Sequence, residues 1–187
     1  MENNKNNAFI NDILVTWGLT SANNDIVDQM HDMGLVVDIH PFQIENPEKN
    51  YQVEVFYQKF LDGNISKDTY LNYENKFLNF VKLLWTYNVT DVLYDLFFDK
   101  HFLKAFKKNY FMQNKPKSQV INNISSWIEL QKLLILALRE AGYIFLFFKE
   151  WNVIAMINDF SVLILCKDSE TNKIIENLSN SCGLFVH

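Results

Sequence analysis

The sequence predicts an α+β fold: a mostly helical first two thirds packed on a small, largely antiparallel C-terminal sheet. Three observations predict it. Apolar residues recur at helical spacing through the first 141 residues or so. After Gly142, three short and almost continuously apolar runs follow one another with turn residues between them, as buried strands do. The composition of the 187 residues is 49% hydrophobic, with 16 Phe, 8 Tyr and 4 Trp but only 5 Gly and 3 Pro. That is ample for a core and poor in the residues a turn-rich all-β fold needs. One domain over 1–187 is expected, with a helical part at about 1–141 and a β-rich part at about 142–187.

Each element has a local reason. Phe9–Trp17 is apolar at helical spacing, and Gly18 fits its C-terminal stop. Asn23–Met33 follows, with Asp25 in the first turn and Gly34 as the stop. Leu35–His40 is rich in β-formers and closes at Pro41, which predicts a short strand. Glu48–Leu61 reads as a helix after Pro47, ending near Gly63. Ser66 caps a long helix to about Tyr87, whose stripe is Tyr70, Tyr73, Phe77, Val81 and Leu84. Thr90 is the next N-cap candidate, with Asp91 in the first turn where the helix dipole favours an acid. Asn114-Lys115-Pro116-Lys117 reads as a loop. Ser125 or Ser126 begins a helix through Glu140, with Glu129 placed for a capping box. Tyr143–Phe148, Asn152–Ile157 and Phe160–Cys166 are the three strands, and Asn158-Asp159 is a tight turn. Asp168 or Ser169 caps a last helix to about Ser179, and Leu184–Val186 can add an edge strand.

Charge and targeting narrow the function. The N-terminal Met-Glu-Asn-Asn-Lys-Asn-Asn has no apolar core of a signal peptide, and no window offers the roughly 20 uncharged apolar residues of a spanning helix. Cys166 and Cys182, the only cysteines, read as free thiols, so a cytoplasmic location is expected. The net charge of −5 is uneven. Residues 1–99 carry 15 acids and 6 lysines, whereas 100–117 carry six lysines and no acid. An acidic first half repels phosphates and favours a basic partner through long-range steering.

Familiar chemistry is missing. No G-x-S-x-G elbow, glycine-rich phosphate loop or zinc spacing of Cys and His is present. The His31-Asp32 pair matches the centre of the HD phosphohydrolase pattern, but no histidine precedes it to complete the metal set. Asp38 and His40 lie at i, i+2 on the expected strand and so share a face. With His31 they are candidates for a metal or acid–base site, the basis of an alternative reading as a small metal-dependent enzyme. Lys100–Lys117 interleaves lysines with aromatics, which suits a nucleic-acid or membrane-surface adaptor. As an ordinary amphipathic helix, it would turn Phe102, Leu103 and Phe106 inward.

Two acidic stripes carry the favoured reading. Asp91, Asp95 and Asp99 sit at i, i+4, i+8 of one expected helix, and Asp25, Asp28 and Asp32 at i, i+3, i+7 of another. Like charges so spaced cost a helix a few tenths of a kcal/mol per pair (roughly), so they suggest a face kept for a partner. Tyr94, Phe97 and Phe98 lie between the aspartates of the first stripe and could anchor that partner, as could Trp17 and Phe42. In size, acidity and whole-chain character, the protein resembles bacterial immunity proteins, such as those of contact-dependent growth inhibition systems. The resemblance implies a protein that binds and covers one cognate toxin domain, commonly a basic nuclease. It implies no catalysis, no cofactor or metal, and no binding to nucleic acid or membrane. The expected partner-binding residues are Asp91, Tyr94, Asp95, Phe98, Asp99, Asp25, Asp28 and Asp32.

Overall fold

A computed structural model describes residues 30, 33–42, 57–96 and 118–187. In chain order the elements are β1 (Leu35–Asp38), α1 (Tyr57–Leu61), α2 (Lys67–Thr86), β2 (Thr90–Leu96), β3 (Ser118–Ile121), α3 (Trp127–Leu138), β4 (Gly142–Phe148), β5 (Val153–Asn158), β6 (Ser161–Cys166), α4 (Ser169–Ser181) and β7 (Phe185–Val186). The seven strands form one sheet in the order β3-β2-β4-β5-β6-β1-β7. Every pairing is antiparallel.

The class α+β holds, but its division does not. The expected small C-terminal sheet, packed under a helical first two thirds, is replaced by a seven-stranded sheet that takes β1, β2 and β3 from before residue 142. The largest correction is at Thr90–Leu96, expected as a helix and observed as a strand. The reason is periodicity. Acids four residues apart lie on one face of a helix, but four is also twice the strand repeat of two. Val92, Tyr94 and Leu96 alternate with Asp91, Leu93 and Asp95, and the register of β2 with β4 settles the ambiguity, from Thr90 opposite Phe148 to Leu96 opposite Gly142. Gly142 is needed there. Its φ is +154°, and a Cβ would lie 2.2 Å from the Asp95 carbonyl oxygen. The edge strand β3 has no strong sequence signal, since Ser118-Gln119 is polar and the run is only four residues long.

Other elements fall where local chemistry puts them. Ser66 caps α2 by accepting from Thr69 N at 3.1 Å. Ser126 caps α3 by accepting from Glu129 N at 3.3 Å. Asp168 caps α4, accepting from both the amide and the hydroxyl of Thr171 at 2.7 Å. The Thr171 hydroxyl and amide hold that carboxyl below its usual range. Gly34 donates to Met30 O at 2.8 Å, closing the turn before β1. Of the expected helix Glu48–Leu61, only α1 is among the described residues, and Phe9–Trp17 lies outside them.

Strand alternation sorts the sheet into two faces. Val92, Tyr94, Ile144, Leu146, Ala155 and Ile164 lie in one buried cluster with residues of α1, α2, α3 and α4, so the four helices cover this side. Leu93, Phe145, Ile154, Met156, Leu163 and Leu165 form a second cluster with Met30 on the other side. The central strands β5 and β6 are therefore buried on both faces, which explains their unbroken apolar sequence. In the helical layer, Arg139 donates to both carboxylate oxygens of Glu74, from Nε at 2.6 Å and Nη2 at 2.8 Å. Its guanidinium also lies over the Tyr57 ring, and Glu140 accepts from Tyr57 N at 3.1 Å. This cluster ties α1 and α2 to the end of α3. No helix among the described residues is long and apolar enough to cross a membrane.

Candidate functional site

Of the partner-binding residues nominated from sequence, only Asp91, Tyr94 and Asp95 are among the described residues. Asp25, Asp28, Asp32, Phe98 and Asp99 lie outside the described residues, as do His31, Trp17 and Lys100–Lys117. Asp91, Tyr94 and Asp95 are all on β2, where alternation puts Tyr94 on the opposite side from the two acids. Tyr94 is fully buried against the helices and donates from its hydroxyl to Gln119 Oε1 at 3.0 Å. Burial pushes its hydroxyl up to about 12, with the Glu129 carboxylate adding to the effect. Asp91 is 6% exposed and structurally engaged. Its Oδ1 accepts from Asn123 N at 2.7 Å, and its Oδ2 faces Lys149 Nζ at 3.0 Å. Asp95 accepts from the Tyr143 hydroxyl at 3.2 Å. A helix face lined with solvated carboxylates is therefore not what Asp91 and Asp95 provide.

Of the metal candidates, Asp38 and His40 are among the described residues and His31 is not. β1 ends at Asp38, so His40 is not on the strand and the i, i+2 argument fails. Asp38 instead caps the turn, accepting from His40 N at 2.5 Å. His187 Nε2 approaches His40 O at 2.9 Å and Asp38 Oδ1 at 3.5 Å. Among the described residues, no group of three or more His, Cys, Asp or Glu side chains could hold a metal ion. Both cysteines are free thiols whose ionisation is pushed up by burial, which opposes the thiolate form a nucleophile needs. Burial also raises Tyr70, with Glu74 adding to the shift, and its hydroxyl donates to Leu138 O at 3.2 Å.

A different surface stands out at the end of the sheet where α2 runs into β2. Here Tyr87 is 59% exposed and Val89 45%. The Tyr87 and Trp151 rings stack with centroids 5.8 Å apart and planes 14° from parallel. Trp85 and Trp127 form a tilted pair at 5.7 Å, with Lys82 Nζ 5.5 Å from the Trp127 centroid. Three of the four tryptophans of the chain thus gather at this end.

The backbone beneath the aromatics is held by side chains. Asn88 is buried; it donates from Nδ2 to Leu84 O at 2.8 Å and accepts from Trp151 N at 3.0 Å. Val89 N donates to Glu150 Oε2 at 2.5 Å, and Val89 O accepts from Lys149 N at 3.1 Å. Trp85 Nε1 donates to Ile124 O at 3.0 Å. Asn123 and Asn152 supply the left-handed turns at φ 52° and 48°, a conformation asparagine tolerates well. The ionic groups are largely internally engaged, Lys149 with Asp91 and Glu150 with the Val89 amide. The result is an end of the sheet where Tyr87, Val89 and Trp151 lie over a backbone fixed by side-chain hydrogen bonds.

Sequence reasoning missed this surface because its parts are far apart in the chain. Only the β2–β4 register brings Tyr87 and Val89 beside Lys149–Trp151. The available signal was the richness of Trp85, Tyr87, Trp127 and Trp151 next to element boundaries.

The described residues form an α+β protein whose seven-stranded sheet carries aromatic side chains at one end. Comparisons with protein-family models, with curated proteins and with solved structures found no match.

Proposed function

We propose that the protein acts by binding another protein, as an immunity protein that neutralises a cognate toxin domain by covering its substrate-binding surface. The observation that carries this reading is the stack of exposed Tyr87 on half-buried Trp151, fixed from below through Asn88 and Glu150. Rigid aromatic anchors ringed by small polar residues are what protein contact surfaces use, because they bury much area at little conformational cost. The chain's charge of −5 adds steering toward a basic partner such as a nuclease. In this reading the acids speed the encounter and the aromatic end supplies the grip. It replaces the acidic helix face suggested by the spacing of Asp91, Asp95 and Asp99.

The test is calorimetric titration of the full chain into the toxin domain of any gene found adjacent to its own, alongside a growth-protection assay. Replacing Tyr87 and Trp151 together by serine is expected to weaken binding at least ~30-fold, corresponding to about 2 kcal/mol for loss of a hot spot. The far-ultraviolet dichroism should be unchanged. Undiminished binding and protection by a folded double variant would remove this surface from the proposal. A wild-type chain that neither binds nor protects would remove the immunity reading itself.

A further inference from the structure

No further inference is drawn: the strongest candidate, the apolar outer face of the sheet formed by Leu93, Phe145, Ile154, Met156, Leu163 and Leu165, carries nothing because, beyond Met30, nothing among the described residues shows what covers it.

Discussion

Glu74 and Asp91 are both buried carboxylates, 3% and 6% exposed, yet the fold holds them in different ways. Glu74 sits within α2 and receives two parallel hydrogen bonds from Arg139, whose side chain is itself only 17% exposed. Asp91 sits near the start of β2, accepts from the Asn123 amide, and faces a lysine whose side chain is 45% exposed. Each carboxylate gave up water on folding. The partners differ in what they would do if the carboxylate were removed. The Arg139 guanidinium is locked between α2, α3 and the Tyr57 ring and would stay largely dry. The Lys149 ammonium could swing into solvent on its flexible stem. The energetic weight of a buried acid is set by how deeply its partner is trapped, more than by its own burial.

That comparison can be broken by mutation. Glu74→Ala removes both hydrogen bonds that Glu74 accepts from a largely dry guanidinium, and loss of one partner of a buried pair costs about 3–5 kcal/mol. The midpoint of urea unfolding should fall sharply with little change in slope. Replacing Glu74 and Arg139 together with apolar residues of similar volume should recover much of the loss, because the two charges are then removed together. Asp91→Ala should cost less, about 1–3 kcal/mol, chiefly the unsatisfied Asn123 amide. If Asp91→Ala proved as damaging as Glu74→Ala, partner burial would not be the governing quantity.

The same contrast explains what could be read beforehand. Caps are local: Ser66, Ser126 and Asp168 each bond an amide three residues on, so a short window of sequence contains the whole interaction. Strands β4, β5 and β6 are buried on both faces and connected by short turns, so their apolar runs stand out unaided. β2 was illegible because its acids obey a spacing that helix and strand share, and its deciding neighbours are β4 and β3, about 50 and 30 residues away. The aromatic end was illegible for a related reason. It exists only after the sheet brings three chain segments together through Trp85, Tyr87, Trp127 and Trp151. Net charge and acid spacing suggested a face kept for a basic partner, but they could not say that Asp91 and Asp95 answer to Lys149 and Tyr143 within the same molecule.

The smallest expected effect lies on the other side of the same strand. Tyr94 is fully buried, but its hydroxyl is neutral, so removing it strands no charge. Tyr94→Phe gives up one hydrogen bond to Gln119 and should cost about 0.5–1.5 kcal/mol, less than either acid. A pH effect accompanies it, with a definite sign. Burial raises the Tyr94 hydroxyl to about 12, whereas an unfolded tyrosine ionises near 10. Below about pH 10 both states hold the proton, and this group adds no pH dependence. Between about 10 and 12 the unfolded chain loses the proton first, so stability falls as pH rises. Urea unfolding of the wild type at pH 9, 10 and 11 should therefore show an increasing loss, and the Tyr94→Phe variant a shallower one. Equal slopes in the two proteins would mean that Tyr94 ionises in the folded state as freely as in water, and that its side of β2 is open to solvent.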